Sequence, residues 1–160
     1  MAPIATAGKD DGHDRWEDKY GRWFARAMSE STAETIWETV ISKDTRYSRD
    51  AYFFVREALD FTQEHIKKEN GGKPRHVSGQ ELLEGIRLFT LQQFGPMART
   101  VLDEWGIRRC EDFGEIVFNM VEHKILSKTD KDSREDFKGG YDFRDAFEKP
   151  FIPSARLVQN

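Results

Sequence analysis

The residue with the clearest capacity for covalent chemistry is Cys110, the one cysteine of the chain. It follows Arg108 and Arg109 and stands just before a predicted helix. A neighbouring guanidinium and a helix N-terminus both favour the thiolate form. A nucleophile also needs a base, and the local sequence places no histidine beside it. The alternative is a small residue that fills a capping position, and the sequence predicts no catalytic residue.

Acidic residues between positions 130 and 136 have part of the spacing of a calcium loop. Asp130 and Asp132 stand two apart, but Glu135 occupies the sixth position, where an EF-hand loop requires glycine. Asp and Ser also favour ordinary turns. The segment Gly71–Lys73 lacks both the upstream glycine and the following Ser or Thr of a phosphate-binding loop. The sequence therefore predicts neither a metal nor a cofactor.

The strongest functional pattern lies between residues 97 and 138. A predicted helix that begins near Met97 ends at Gly106, and a second helix begins at Glu111 after a short turn. Residues 125–129 and 134–138 are then predicted to form the two strands of a hairpin. This order of elements is typical of a winged helix-turn-helix, whose second helix binds the major groove of DNA in many regulators.

The charge of the second helix disfavours that use. Carboxylates dominate the helix and would repel phosphate, and Asn119 is its one obvious base-reading residue. Basic residues flank the helix at the turn and around the predicted wing, so nucleic-acid binding stays open as an alternative. The candidate contacts for a nucleic acid or a partner are Arg108, Arg109, Asn119, Lys128 and Lys131.

Residues 13–29 are predicted to form an amphipathic helix ahead of the rest of the domain. Its polar face mixes acidic and basic residues, unlike the basic face of a membrane helix. Docking on the domain and binding a partner protein both remain open for its aromatic stripe. The candidate partner-binding aromatics are Trp16, Tyr20, Trp23 and Phe24.

The remaining helices are indicated by caps and by apolar spacing. Capping boxes at residues 31–34 and 78–81 predict two helix starts, and a helix with a wide apolar stripe is predicted over 48–68. The glycines and proline of residues 70–74 mark the clearest hinge between helices. A short helix over 143–147 is predicted near the end of the chain.

Length and composition limit the class of protein. The chain has 160 residues, of which 38% are hydrophobic and 12% aromatic, which suits one domain with a real core. Its net charge of −4 gives no general attraction to nucleic acid or to anionic membranes. One cysteine excludes an intramolecular disulfide and favours a reducing, cytoplasmic location. No apolar stretch approaches the roughly 18 residues that span a bilayer.

Specific strings of residues between about 47 and 147 carry a resemblance to a known family. The chain resembles an uncharacterised bacterial conserved-hypothetical family known mainly from planctomycetes and verrucomicrobia. A threonine is common in that family where Cys110 stands. The family has no assigned activity, so the resemblance implies no mechanism. The matching strings are Asp50–Leu59, Arg75–Leu82, Trp105–Arg109 with Glu111–Gly114, and Ser127–Asp130.

The sequence predicts a mainly α-helical single domain of about six helices over residues 13–149, with a winged-helix-like β-hairpin near its C-terminus. The helix-turn-helix part spans 97–138, residues 1–12 are expected to be a disordered tail, and 150–160 a loose tail. The preferred function is a non-enzymatic cytoplasmic adaptor or regulatory protein that acts through protein–protein contacts. The alternative is a winged-helix regulator that binds DNA or RNA. No membrane partner is expected.

Overall fold

The structure is a computed structural model that describes residues 5–6 and 30–153, with side chains from residue 34 onwards. Most of the described residues are helical, which confirms the mainly α-helical prediction. None of the described helices is long and apolar enough to cross a membrane. The elements are the strand β1 (Ala5–Thr6), the helices α1 (Glu30–Lys43), α2 (Arg49–Glu69), α3 (Gly79–Phe94), α4 (Ala98–Glu104) and α5 (Cys110–Glu122), the strand β2 (Leu126–Ser127) and the helix α6 (Phe143–Phe147).

Helices α2 and α3 form a closely packed antiparallel pair. The ring of Phe54 near the start of α2 lies 5.3 Å from the ring of Phe94 at the end of α3. In the middle of the pair, a Cβ atom on Gly85 would lie only 1.7 Å from Thr62 Oγ1. Glycine is therefore required at position 85 because the helix backbone approaches a side chain of its neighbour.

The connection between the two helices follows the predicted pattern. Gly71 and Gly72 have φ angles of 66° and 86°, so the predicted hinge is a turn that uses the left-handed conformation. The Ser78 Oγ atom accepts a hydrogen bond from the N–H of Glu81 at 3.1 Å, and Glu81 Oε1 accepts one from the N–H of Ser78 at 3.0 Å. The predicted capping box at 78–81 is confirmed.

Helix α5 lies at the centre of the domain. Its apolar side chains Phe113, Ile116, Val117 and Met120 are fully buried. It packs against α2, α3, β2 and the segment that follows β2. The helix therefore contributes to the hydrophobic core on most of its circumference, whereas a DNA-recognition helix presents one face to the groove.

The predicted wing is not formed by the described residues. Strand β2 pairs antiparallel with β1, with Thr6 opposite Leu126 and Ala5 opposite Ser127. Residues 134–138 were expected to be the return strand, but Arg134–Phe137 form a 3-10 helix. Its start is capped by Ser133, whose Oγ accepts from the N–H of Glu135 at 2.9 Å.

A buried phenylalanine explains why this segment turns inward. Phe137 is fully buried, and its ring lies against α3 and α5 at positions that carry no side chain. A Cβ on Gly79 would lie 3.2 Å from the ring of Phe137, and a Cβ on Gly114 would lie 2.9 Å from it. Burying this aromatic ring requires the chain to return to the core instead of extending as a strand.

The two ends of the chain differ in part from their predictions. Residues 5–6 of the expected tail 1–12 form β1, because the backbone of β2 offers them an unpaired strand edge. Lys149–Phe151 form a 3-10 helix, although 150–160 was expected to be a loose tail. The predicted helix 13–29 lies outside the described residues, as do residues 154–160.

Candidate functional site

A groove of about 220 Å³ opens on the surface between α2 and α3. Its walls are aromatic, and several of the rings are partly exposed to solvent. Polar side chains of α2 and α3 form the rim. We call it the aromatic groove; it is lined by Asp50, Phe53, Phe54, Glu57, Phe89, Gln93, Phe94 and Trp105.

Ring contacts hold the floor of the groove together. The Phe54 ring lies 5.1 Å from that of Phe89 and 5.2 Å from that of Trp105. Phe94 meets Trp105 edge to face at 5.6 Å. Aromatic pairs at these separations stabilise one another, so the groove is a preformed surface.

The end of α4 is fixed where Trp105 enters the groove. The carbonyl oxygen of Trp105 accepts a hydrogen bond from the N–H of Ser48, the N-cap of α2, at 3.2 Å. Gly106 has a φ of 88°, and a Cβ there would lie 2.1 Å from the carbonyl oxygen of Arg46. A glycine is therefore required to bring the chain past the turn between α1 and α2.

An acidic line runs along α2 beside the groove. Asp50, Glu57 and Glu64 are all exposed and stand seven residues apart, which places them on one face of the helix. None of them has an ion-pair partner among the residues that the structure describes. Partly exposed aromatic rings beside unpaired carboxylates suit a ligand that is both apolar and cationic.

Cys110 does not have the reactivity that its local sequence indicates. The thiol is 2% exposed and lies 3.3 Å from the N–H of Tyr141, which donates to it. Burial raises the pKa of the Cys110 thiol to about 11. Burial therefore outweighs the helix N-terminus and the two arginines, which by themselves favour the thiolate. Cys110 packs in the core beside Gly140, where a Cβ would lie 2.8 Å from its Sγ.

Asn119, the predicted base reader, is used inside the fold. Its Nδ2 donates to Asp44 Oδ2 at 2.9 Å and to the Tyr52 hydroxyl at 3.1 Å. Arg46 donates to the same carboxylate at 2.6 Å and to Glu115 Oε1 at 3.0 Å. Asn119 therefore ties α5 to α2 and to the turn after α1, and its amide is not presented to a nucleic acid.

The basic residues named as contacts are exposed. Arg108 and Arg109 precede α5, and Lys128 and Lys131 follow β2. Arg108 Nε donates to Asp103 Oδ1 at 2.9 Å. The described residues form no wing, and Asn119 donates its hydrogen bonds within the fold. Among the described candidates, these four cations are therefore not accompanied by a side chain that could read bases.

Asp132 belongs to a buried interaction, although a solvated turn was expected. It is 5% exposed, and its Oδ2 accepts from the N–H of Thr129 at 2.8 Å. Its Oδ1 lies 3.2 Å from His76 Nε2, so the pair joins the segment before α3 to the segment after β2. Across residues 34–153, no group of three or more His, Cys, Asp and Glu side chains is placed to hold a metal ion.

Two carboxylates outside the groove couple folding to pH. Hydrogen bonds from the Arg46 guanidinium, together with Asn119, lower the pKa of Asp44 from 3.8 to about 2. Hydrogen bonds from Arg75 lower the pKa of Glu81 from 4.5 to about 2. The folded state thus favours both ionised forms, and this stabilisation is present above the ordinary pKa values and is lost as pH falls towards 2.

We expect the free energy of unfolding to decrease as pH falls from about 4.5 to about 2. The Asp44→Asn and Glu81→Gln variants should each lose about 1 kcal/mol at pH 7, after allowance for solvent screening, and should show a flatter dependence below pH 4.5. Urea unfolding at a series of pH values measures this effect. Asp130→Asn, at an exposed carboxylate, is the control and should keep the wild-type slope.

The groove is not predicted from the sequence, although the apolar stripe predicted over 48–68 forms part of its walls. The wide apolar stripe predicted for α2 contains Phe54, which lines the groove, and Phe61, whose ring lies 5.1 Å from that of Phe89. The sequence signal that could have indicated the groove is the seven-residue spacing of acidic residues beside these aromatic residues. The predicted partner-binding aromatics Trp16, Tyr20, Trp23 and Phe24 lie outside the described residues.

The chain was compared with protein families, with curated proteins and with solved structures. No family model, no curated protein and no solved structure matches the chain.

Proposed function

We propose that this chain is a non-enzymatic, cytoplasmic adaptor or regulatory protein that acts through protein–protein contacts, with the aromatic groove as its binding surface. We also propose that the chain belongs to the bacterial family that it resembles, a family without an assigned activity. A free, buried thiol at Cys110 suits a reducing compartment.

The observation that carries the proposal is a row of partly exposed rings with unpaired carboxylates beside it. Aromatic residues are enriched in the centres of protein interfaces, where they act as anchors. A groove between two helices suits the apolar face of a third helix, which is a recurring mode of peptide recognition. The groove combines both features on the pair α2 and α3.

The observations at the other candidate sites favour this proposal over its alternatives. Cys110 is buried with a raised pKa, so it lacks the thiolate that a nucleophile needs. Helix α5 is a core helix, and Asn119 donates its hydrogen bonds within the fold. Neither a catalytic centre nor a DNA-reading helix is supported by these contacts.

The proposal is tested by affinity capture with the full chain from cells that express it. Phe94→Ala should reduce recovery of a protein partner by about thirtyfold, since truncating an aromatic anchor at an interface costs about 2 kcal/mol or more. The captured proteins are quantified by mass spectrometry, and the affinity of the identified partner is then measured by titration.

Phe151→Ala is the matched control because Phe151 is 40% exposed and does not line the groove. Wild type and this control should recover the partner equally, and all three proteins should have folded helical spectra. Equal recovery by Phe94→Ala would show that the groove is not the binding surface. Recovered material that disappears after nuclease treatment would favour the nucleic-acid alternative.

A further inference from the structure

We propose that residues 13–29 of this chain bind in its own aromatic groove as an amphipathic helix. In this arrangement the aromatic stripe contacts the rings of the groove, and basic residues follow the acidic line of α2. The inference rests on the proposed function in that a partner helix would compete with this segment for the same surface.

The sequence of the segment has the chemistry that the groove requires. Its aromatics at 16, 20 and 23 recur at helical spacing, and a basic residue immediately precedes each of them. On a helix this places the cations along one flank of the aromatic stripe. Among the acidic residues of the segment, Glu17 falls on the opposite flank, and Asp14 and Asp18 fall on the face turned away from the aromatic stripe. The cations are Arg15, Lys19, Arg22 and Arg26, and the acids are Asp14, Glu17 and Asp18.

The acidic line of α2 and the row of cations in residues 13–29 have opposite charge and similar length. From Asp50 to Glu64 the acidic line covers 14 residues of α2, or about 21 Å at 1.5 Å per residue. The cations from Arg15 to Arg26 would cover about 16 Å of a helix at the same rise. No residue from 34 to 153 forms an ion pair with Asp50, Glu57 or Glu64, so their charge is available for an added helix.

The ends of the undescribed segment are already fixed beside α2. The strand β1, which precedes it, packs against α2, and the helix α1, which follows it, contacts the edge of the groove. The ring of Trp37 in α1 lies 4.6 Å from the ring of Phe53. Trp37 lies seven residues after Glu30 in α1, a distance of about 10 Å along the helix axis.

This attachment makes self-binding favourable even for a weak contact. Tethering at both ends gives the segment an effective concentration in the millimolar range at the groove. A partner of moderate affinity would therefore have to displace the segment, and its apparent affinity would be reduced by the fraction of chains in which the groove is occupied.

Chymotrypsin cleavage of the full chain tests whether the segment is bound. The protease cleaves after Trp16, Tyr20, Trp23 and Phe24, and a bound helix protects these sites. The double variant Glu57→Lys with Glu64→Lys should increase the cleavage rate at least about tenfold, because each lost exposed ion pair changes the equilibrium up to about fivefold and the new lysines repel the cations.

The control carries the same change of charge away from the groove. Glu104 and Asp130 are exposed acids that do not line the groove, so Glu104→Lys with Asp130→Lys should leave the rate unchanged. Adding Lys19→Glu and Arg22→Glu to the groove variant should restore protection. Equal cleavage of the wild type and the groove variant, or no restoration, would overturn the proposal.

Carbodiimide coupling locates the contact independently of stability. Lys19 is the one lysine of residues 13–29, and it should couple to Asp50, Glu57 or Glu64 within one molecule. Lys19→Arg should abolish these products. Coupling of Lys19 to acids elsewhere would contradict the proposal, and so would products between two molecules whose yield rises with concentration, since they would show that a second copy provides the segment.

These measurements use no partner, so the two proposals can fail separately. Protection with Lys19 coupling, but without a groove-dependent partner, would retain the self-binding segment and remove the proposed function. If a partner depends on the groove but the segment is not protected, the proposed function is retained and the self-binding segment is rejected.

Discussion

Replacing Gly106 by alanine is expected to destabilise the protein by about 2–5 kcal/mol. The φ of 88° at Gly106 is a left-handed conformation that costs an alanine about 1–2 kcal/mol. The added Cβ would also lie 2.1 Å from the carbonyl oxygen of Arg46, and a clash with backbone costs about 1–3 kcal/mol more. Urea unfolding followed by circular dichroism measures the loss, and a variant that does not fold agrees with the upper end of the range.

Gly72→Ala separates these two contributions. Gly72 has a φ of 86°, nearly the same as Gly106, but a Cβ there would meet nothing within 4 Å. We therefore expect a loss of about 1 kcal/mol from the backbone conformation alone. If the two variants lost equal stability, residue 106 would not lie as close to the turn between α1 and α2 as the structure shows.

Phe137→Ala is expected to cost about 3–5 kcal/mol, the usual range for truncating a fully buried phenylalanine. Phe137 is 0% exposed and packs against two glycines, which leaves few side chains that could move into the cavity. The free energy of unfolding from urea titration measures the effect. This variant also distinguishes the inward 3-10 helix from a solvent-exposed return strand at the predicted hairpin.

Phe151→Ala is the control for this substitution as well. Its side chain is 40% exposed, so the variant should lose less than about 1 kcal/mol. A comparably small loss for Phe137→Ala would mean that residue 137 is solvent-exposed, as in a wing, and that the packing against Gly79 and Gly114 is wrong.

The features predicted correctly from the sequence are those that neighbouring residues determine. Ser78 and Glu81 satisfy each other's backbone groups within one turn, so the start of α3 is visible in four residues. The turn at Gly71 and Gly72 depends equally on local conformational freedom. The wide apolar stripe of α2 correctly indicated burial of Tyr52, which is fully buried.

The features that the sequence does not reveal depend on residues far away in the chain. Residues 134–138 are predicted to be the return strand of a hairpin, but Phe137 packs inward in the space that Gly79 and Gly114 leave open. The thiol of Cys110 follows two arginines, yet its environment is determined by Tyr141, 31 residues later. Local sequence cannot reveal such neighbours.

The aromatic groove could not be predicted from the sequence for the same reason. Phe54 lies in α2, Phe89 in α3 and Trp105 directly after α4, and they meet only after α2 and α3 have paired and α4 has been placed. Periodicity predicts that each ring faces inward on its own helix. It does not predict that three such faces leave a groove between them.

The pairing of β1 with β2 has a consequence for the order in which the chain assembles. Helices α2 and α3 are joined by nine residues, 70–78, so their contacts close a short loop and can form early in folding. Thr6 and Leu126 pair although most of the chain lies between them in sequence. Their pairing becomes favourable only after α5 has placed β2. The strand pair therefore forms late, and during synthesis the N-terminal strand has to wait until the residues around 126 have left the ribosome.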